Sequence, residues 1–171
     1  MGNPQKKFSK IYDKYIDRIY RFIFLKVSSS EIAEDLTSET FLRGWRVFKS
    51  DQQEIDNPQA FLYRIARNLV VDFYRDKGKA QVISTEYVQI EDSRVDLGKE
   101  AEIGSDMKII QSALSNLKED YQNAIIWRYL DDLPIQEVAK LLGKSEQATR
   151  TTLHRALKSL KSRLNQDIHL V

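Results

Sequence analysis

The stretch LDDLPIQEVAKLLGKSEQATRTTLHRALKSL, residues 130–160, decides the fold of the C-terminal part of the chain. Apolar residues at helical spacing run from Ile135 to Leu142 and stop at Gly143, the residue type that most readily adopts the left-handed conformation that ends a helix. The hydroxyl of Ser145 can cap the next helix. The pattern predicts a helix-turn-helix, whose second helix has an apolar stripe formed by Leu153, Ala156, Leu157 and Leu160.

The second of these helices is strongly basic. Residues 143–163 contain six Lys or Arg and a single acid, Glu146, which gives a local charge of +5 in a chain whose net charge is +2. Such a concentration of charge after a tight turn suits docking in the DNA major groove. A helical hairpin with a solvated basic face would carry the same pattern, so this stretch alone leaves both interpretations open. The outward-facing side chains are Arg150, His154, Arg155 and Lys158.

Length and composition indicate an all-α protein of one or two small domains. The 171 residues are 42% hydrophobic and 30% charged, and include only six Gly and three Pro. The absence of Cys excludes disulfides and thiolate metal sites, and His154 and His169 have no partners at ligand spacing, so we expect no metal and no other cofactor. We find neither a secretory leader nor an apolar run of membrane-spanning length, and therefore expect a cytoplasmic protein without membrane insertion.

Three helices are predicted in the N-terminal part of the chain. Apolar residues at 3,1,3,1 spacing run from Phe8 through Tyr12 to Val27 and mark the buried face of the first helix. Ser28 and Glu31 have the spacing of a capping box for the second helix, which runs to about residue 48. A polar loop, 49–56, follows. Asn57 as cap and Pro58 at the first helical position start the third helix, which is predicted to end near Gly78.

An acidic stretch separates this part from the helix-turn-helix. Residues 80–106 contain seven acids against Arg94 and Lys99, a local charge of −5, and no sustained periodicity. This composition predicts a linker over residues 79–106, between a domain at 7–78 and a second at 107–166. The second domain opens with the apolar residues Ile110, Ala113, Leu114 and Leu117.

Two helix faces in the N-terminal domain could carry function. Glu34, Asp35 and Glu39 lie close together on the second helix, but no His and no converging acidic helix accompany them, so a solvated or protein-docking face is favoured over metal binding or acid–base chemistry. The third helix combines cations, an amide and the flanking aromatics Phe61, Tyr63 and Tyr74. These groups suit single-stranded nucleic acid, although core aromatics with surface ion pairs would look the same. The polar face is formed by Arg64, Arg67, Asn68, Asp72 and Arg75.

Three segments in order resemble the signature segments of bacterial sigma factors. They are EDLTSETFLRGWR at 34–46, DNPQAFLYRIARNLVVDFYRDK at 56–77, and LKEDYQNAIIWRYLDDLPIQEVAKLLGKSEQATRTTLHRALKSLK at 117–161. With only an acidic linker between two domains, the chain is similar to the extracytoplasmic-function (ECF) group. The resemblance covers nearly the whole chain except the linker and termini.

The resemblance implies a non-enzymatic factor that binds core RNA polymerase, directs it to a promoter and helps to open the duplex. An anti-sigma factor is a further implied partner. Asp35, Leu36, Ser38, Glu39 and Arg43 match the positions that dock on the polymerase. Arg64, Arg67, Asn68, Asp72 and Arg75 match those that read the −10 element as a displaced strand, with the loop 49–57 beside them. The positions for the −35 duplex are Ser145, Arg150, Thr151, His154, Arg155 and Lys158.

Three positions depart from the family pattern. Thr149 stands where relatives commonly carry an aliphatic residue, and Thr152 where they commonly carry a basic one; Pro134 replaces a capping Ser. These changes bear on the strength of −35 binding. Two other classes are compatible with parts of the sequence: a stand-alone dimeric helix-turn-helix regulator, which lacks an obvious dimer seam here, and a helical scaffold, which leaves the basic helix unexplained.

Overall fold

A computed structural model describes residues 2–51, 55–81 and 105–169 of the protein, with side chains placed at 2–50, 55–78 and 108–166. Every secondary-structure element in these ranges is helical, which confirms the predicted all-α fold. Contacts divide the chain into two compact units, Met1–Asp96 and Leu97–Val171. Residues 52–54 of the predicted loop and 82–104 of the predicted linker lie outside the described residues, so the predicted domain boundaries stay predictions.

The N-terminal unit contains three long helices. They are α1 (Pro4–Val27), α2 (Ser30–Asp51) and α3 (Pro58–Gln81), and each packs against the other two. The core between them is apolar and aromatic, because each helix turns one stripe inward. Its fully buried side chains include Ile19, Phe22, Ile23, Leu62, Tyr63 and Ala66.

A glycine sets the close approach of α2 and α3. Gly44 is buried on α2, and a Cβ atom at this position would lie 3.3 Å from Leu62 Cδ2 on α3 and 3.5 Å from Phe8 Cζ on α1. These distances are at or below ordinary van der Waals contact. The absent side chain of Gly44 therefore allows the three helices to meet at this level.

The cap at the start of α3 has the predicted chemistry, and the cap at the start of α2 does not. Asn57 Oδ1 accepts a hydrogen bond from the Ala60 N–H at 3.0 Å, with Pro58 at the first helical position. The prediction that Ser28 caps α2 is wrong. Ser28 adopts a left-handed conformation (φ 58°) that closes α1, so the chain needs one more residue before the next helix. Ser29 Oγ accepts the Ile32 N–H instead, at 3.4 Å.

The predicted end of α3 is also wrong. Helix α3 continues through Gly78 to Gln81. Among the glycines of the described ranges, Gly143 alone has a positive φ, so the backbone at Gly78 does not turn out of the helix. A glycine permits a helix end without requiring one.

The C-terminal unit is built around one long helix. Its elements are α4 (Ser105–Ser115), α5 (Glu119–Ile125), a π-helical segment (Ile126–Leu130), α6 (Ile135–Leu142) and α7 (Glu146–His169). Helix α7 packs against α4, α5 and α6. The side chain of Trp127 in the π-helical segment is fully buried. The Asp131 N–H donates to the Ile126 carbonyl at 2.9 Å, the wide bond of a π-turn, which the sequence pattern did not predict.

The turn between α6 and α7 has the predicted form. Gly143 is left-handed, with φ 67°. The Lys144 N–H donates to the Ala139 carbonyl at 3.0 Å and the Gly143 N–H to the Lys140 carbonyl at 3.2 Å, which together form a Schellman motif. Ser145 Oγ accepts the Ala148 N–H at 3.1 Å and so caps α7. The helix-turn-helix prediction is therefore confirmed in its local geometry.

The buried stripe of α7 differs from the predicted one. Leu153 and Ala156 are buried, but Leu157 is exposed. Thr149 and Thr152 are buried in the stripe, which moves its centre away from Leu157. Tyr12, which was predicted to lie on the buried face of α1, is also exposed.

Candidate protein and nucleic-acid interfaces

The predicted docking residues lie along one side of α2. Asp35, Ser38 and Arg43 are exposed, whereas Leu36 and Glu39 are partly buried. The Arg43 Nε donates to Glu39 Oε1 at 2.9 Å across one helical turn. Asp35 thus presents a carboxylate to solvent beside an internally paired Glu39–Arg43 couple, and the half-buried Leu36 adds apolar surface. A mixed face of this kind suits a protein partner.

No metal site is apparent at this face. In the part of the chain with placed side chains, no group of three His, Asp or Glu residues could hold a metal ion.

Thr40, which lies one turn after Leu36, donates its hydroxyl to the Leu36 carbonyl at 2.7 Å and is fully buried. The buried Thr40 hydroxyl, behind the predicted docking residues, is therefore hydrogen-bonded within α2 itself.

The polar face of α3 presents an amide between cations. Arg64, Asn68 and Arg75 are exposed, and Arg67 and Asp72 are partly buried. An ion pair joins Arg75 to Asp72 at one-turn spacing, so the charge of Arg75 is partly compensated. No hydrogen bond joins the Asn68 side chain to another described residue. Its amide can therefore both donate to and accept from an incoming base edge.

The aromatic contribution of α3 differs from the prediction. Tyr63 is fully buried and cannot stack on a base, because its ring packs edge to face on Phe22, with 5.3 Å between centroids. Phe61 is partly buried beside Gly44. Tyr74 keeps an exposed ring, while its hydroxyl donates to the Lys26 carbonyl at the end of α1. Of the three predicted aromatics, Tyr74 alone is an exposed residue, at 46%.

All six predicted −35 residues are exposed at the start of α7 or along its outer face. Ser145 caps the helix, and the Thr151 hydroxyl donates to the Gln147 carbonyl at 3.2 Å. Arg150 Nη2 lies 3.6 Å from Glu146 Oε2, an exposed pair that a phosphate or base could replace at little cost. The remaining three, which continue the same face toward the middle of the helix, are His154, Arg155 and Lys158.

The sequence pattern missed one side chain near this face. Lys144 Nζ lies 3.3 Å from Asp120 Oδ2 on α5 and 3.2 Å from Thr152 Oγ1 on α7. Asp120 and Lys144 are 24 positions apart in the chain, so no helical spacing connects them. The one signal for it in the sequence is a basic residue directly after Gly143.

Comparison with known proteins gives two family matches and several relatives. Residues 11–80 match the model of sigma-70 region 2, and residues 107–160 match that of sigma-70 region 4. SigW of Bacillus subtilis, an ECF RNA polymerase sigma factor, is 30% identical over 94% of this chain and 90% of its own length. BldN of Streptomyces coelicolor is 32% identical over 94% of this chain, which spans 61% of BldN.

Solved structures share the fold. The sigma factor RpoE of Bartonella quintana, in complex with the anti-sigma factor NepR, superposes with a TM-score of 0.72 at 22% identity and covers 94% of this chain and 98% of its own. CnrH, in complex with the cytosolic domain of CnrY, has a TM-score of 0.69 at 22% identity over 97% and 92% of the two chains.

Two matched regions in this order define a sigma factor of the sigma-70 class. The chain belongs, more narrowly, to the ECF group of RNA polymerase sigma factors. The stand-alone dimeric regulator is accordingly not favoured. None of the helices in the described ranges is both long and apolar enough to cross a membrane.

Proposed function

We propose that this protein directs core RNA polymerase to promoters by dividing recognition between its two units. The observation that carries the proposal is the exposed basic face of α7 behind a Schellman turn, in a chain whose other unit has a separate polar face on α2. A helix that binds in the major groove needs an exposed basic face, and attachment to a polymerase needs a separate protein-binding face. We assign these functions to residues 107–166 and 7–78.

The α2 face is assigned to core polymerase. Asp35, Ser38 and Arg43 are exposed for polar contacts, and Leu36 and Glu39 lie beside them. Complementary charge on the polymerase would steer association and set the register of docking. The loop 49–57 and the acidic linker 79–106 are assigned to contacts along the promoter and the polymerase channel, following the resemblance.

The α3 face is assigned to the −10 element as a single strand. Arg64 and Arg67 would hold phosphates while Asn68 reads a base edge, and Asp72 with Arg75 would border the base site. Opening a duplex costs about 1.4 kcal/mol per base step. The sequence contains no Gly-rich phosphate loop to couple opening to nucleotide hydrolysis. Preferential binding of the open strand must therefore drive melting, and we infer that the protein is not an enzyme.

The α7 face is assigned to the −35 element as a duplex. Arg150 and Arg155 can make bidentate contacts with guanine, and Thr151, His154 and Lys158 flank them. Ser145 positions the start of the helix. As a transcription factor for the bacterial polymerase, the protein would work in the cytoplasm.

An anti-sigma factor is the proposed regulatory partner. RpoE and CnrH share this fold; RpoE was solved in complex with the anti-sigma factor NepR, and CnrH in complex with the cytosolic domain of CnrY. A regulator that covers the α2 face or the α7 face would block polymerase or promoter binding directly.

Co-purification with core RNA polymerase tests the central proposal. The tagged full chain is expected to retain the polymerase subunits from a lysate of its source bacterium. The isolated holoenzyme should then select DNA from a random duplex library and initiate transcription on it. A chain that binds DNA as a dimer without polymerase would overturn the proposal in favour of the stand-alone regulator.

A further inference from the structure

A cleft of about 420 Å³ opens beside the recognition helix, between the start of α5 and the first half of α7. Its charged lining carries three cations and two acids. One of the cations, Arg155, belongs to the proposed −35 face, so the cleft borders the surface on which DNA would lie. The lining includes Lys118, Glu119, Asp120, Lys144, Thr152 and Arg155.

Two hydrogen-bonding neighbours fix the Lys144 ammonium in this cleft. Asp120 Oδ2 lies 3.3 Å from Nζ, and Thr152 Oγ1 lies 3.2 Å from it. The Thr152 hydroxyl donates to the Ala148 carbonyl at 2.9 Å, so its oxygen is left to accept from Lys144. An ammonium group has three N–H donors. Asp120 and Thr152 take two of them, and the third is available to a ligand, since the Lys144 side chain remains 34% exposed.

We propose that Lys144 binds a backbone phosphate of the −35 duplex beside Arg155, with Asp120 and Thr152 positioning its ammonium. This inference rests on the proposed function of α7. A phosphate oxygen is the expected third acceptor, because DNA presents phosphates along any groove that a helix enters and lysine binds them as a point charge. The contact would be independent of sequence and would add to affinity without changing base preference.

The competing interpretation is a structural link in which Lys144 merely joins α5 to α7. The two interpretations differ in the effect that they predict for Asp120→Asn on DNA affinity. If the pair is a structural link, Asp120→Asn and Lys144→Met weaken the same ion pair and should change DNA affinity alike. For a phosphate contact, Lys144→Met removes a DNA contact, whereas Asp120→Asn removes an acid near the DNA and leaves the lysine charge in place.

The test uses holoenzyme reconstituted from the full chain and core RNA polymerase. The probe is a duplex that the wild-type holoenzyme selects from a random library, and its Kd is measured between 50 and 200 mM KCl, a range over which phosphate contacts change affinity strongly. Lys144→Met should weaken binding several-fold at low salt and reduce the salt slope by about 0.9. Asp120→Asn should bind as tightly as wild type or more tightly. The control Lys10→Met removes the same charge from the exposed surface of α1, in the other unit, and should keep the wild-type slope.

A rescue variant separates lost charge from lost folding. Because Lys144 Nζ lies against Thr152 Oγ1, a longer cationic side chain at position 152 can bring its charge to the position of the Lys144 ammonium. Thr152→Arg in the Lys144→Met background should restore the slope. An unchanged slope in Lys144→Met, or equal losses in Lys144→Met and Asp120→Asn, would overturn the inference. Failure of the wild-type holoenzyme to select any duplex would instead overturn the proposed function.

Discussion

The ring of Tyr63 on α3 meets the ring of Phe22 on α1 edge to face, with 5.3 Å between their centroids, and both side chains are fully buried. This contact joins the helix assigned to the −10 strand to the first helix of the same unit. Tyr63 therefore supports the α3 face from behind and takes no direct part in binding.

Tyr63→Ala should destabilise the N-terminal unit by about 3–5 kcal/mol, because it empties a large buried site. Urea unfolding followed by Trp45 fluorescence, in a chain carrying Trp127→Phe, isolates this unit, since the chain has one tryptophan in each unit. Tyr74→Ala is the control. It removes a half-exposed ring and one hydrogen bond to Lys26, so its cost should be about 1 kcal/mol. Equal losses of stability in Tyr63→Ala and Tyr74→Ala would contradict the burial of Tyr63 in the core.

Reversing the charge of Asp35 and Glu39 to Lys should abolish binding to core polymerase. Folding should change little, since surface substitutions usually shift stability by less than about 0.5 kcal/mol each. The measurement is holoenzyme assembly by native gel or fluorescence anisotropy. Asp13→Lys with Asp17→Lys makes the same charge change on the exposed surface of α1 and should assemble normally. Normal affinity of the Asp35/Glu39 variant for core polymerase would show that the polymerase binds another surface of the protein.

Arg150→Ala and Arg155→Ala should each weaken binding of holoenzyme to the −35 duplex. A lost bidentate base contact should cost about 1–3 kcal/mol and relax preference at one position. A lost phosphate contact should instead lower the salt slope by about one, uniformly across sequences. Binding titrations with point-substituted duplexes at several salt concentrations distinguish these results. If both variants keep wild-type affinity and slope, α7 is not the recognition helix.

Asn68→Ala should leave closed-complex binding nearly intact and slow duplex opening. Extruding a base costs a few kcal/mol, so an amide contact to that base helps only once the strands have parted. Permanganate footprinting on a selected promoter should show reduced reactivity, and a pre-melted bubble template should recover most of the activity. The same template should reveal altered preference at one −10 position. Wild-type opening with unaltered preference would contradict the assignment.

Thr149→Val should stabilise the C-terminal unit by about 0.5–1 kcal/mol. The Thr149 hydroxyl is fully buried and donates to the Ser145 carbonyl, which also accepts the Thr149 backbone N–H, so its removal leaves no unpaired acceptor. Thr152→Val is the matched control and should not stabilise, because its oxygen accepts from Lys144. Urea unfolding followed by Trp127 fluorescence, in a chain carrying Trp45→Phe, measures both. A marked loss of stability in Thr149→Val would mean that the Thr149 hydroxyl is essential to the packing of the buried stripe of α7.

Features encoded by neighbouring residues were predictable from the sequence. Asn57, Gly143 and Ser145 act through hydrogen bonds within four or five positions, and the sequence alone predicts all three. The exposed faces of α2, α3 and α7 follow from helical periodicity for the same reason.

Features that depend on distant partners were not predictable. Tyr63 and Tyr74 lie on the same helix with similar neighbours, yet the position of Phe22 makes one of them core. The Lys144–Asp120 pair likewise depends on how α5 meets α7. Ser28 is a local error of a different kind, since two adjacent serines compete for one cap and only the conformation at the end of α1 decides between them.

The missing side chain at Gly44 has a mechanical consequence. Because the Leu62 side chain of α3 packs closely against the Gly44 backbone of α2, a displacement of one helix is transmitted to the other through a close-packed contact. In the proposed function, polymerase would bind the α2 face and the parted strand would lie on α3. Binding of polymerase to α2 would then also orient α3, and a larger residue at position 44 would leave a protein that binds polymerase with Asn68 displaced from the −10 base.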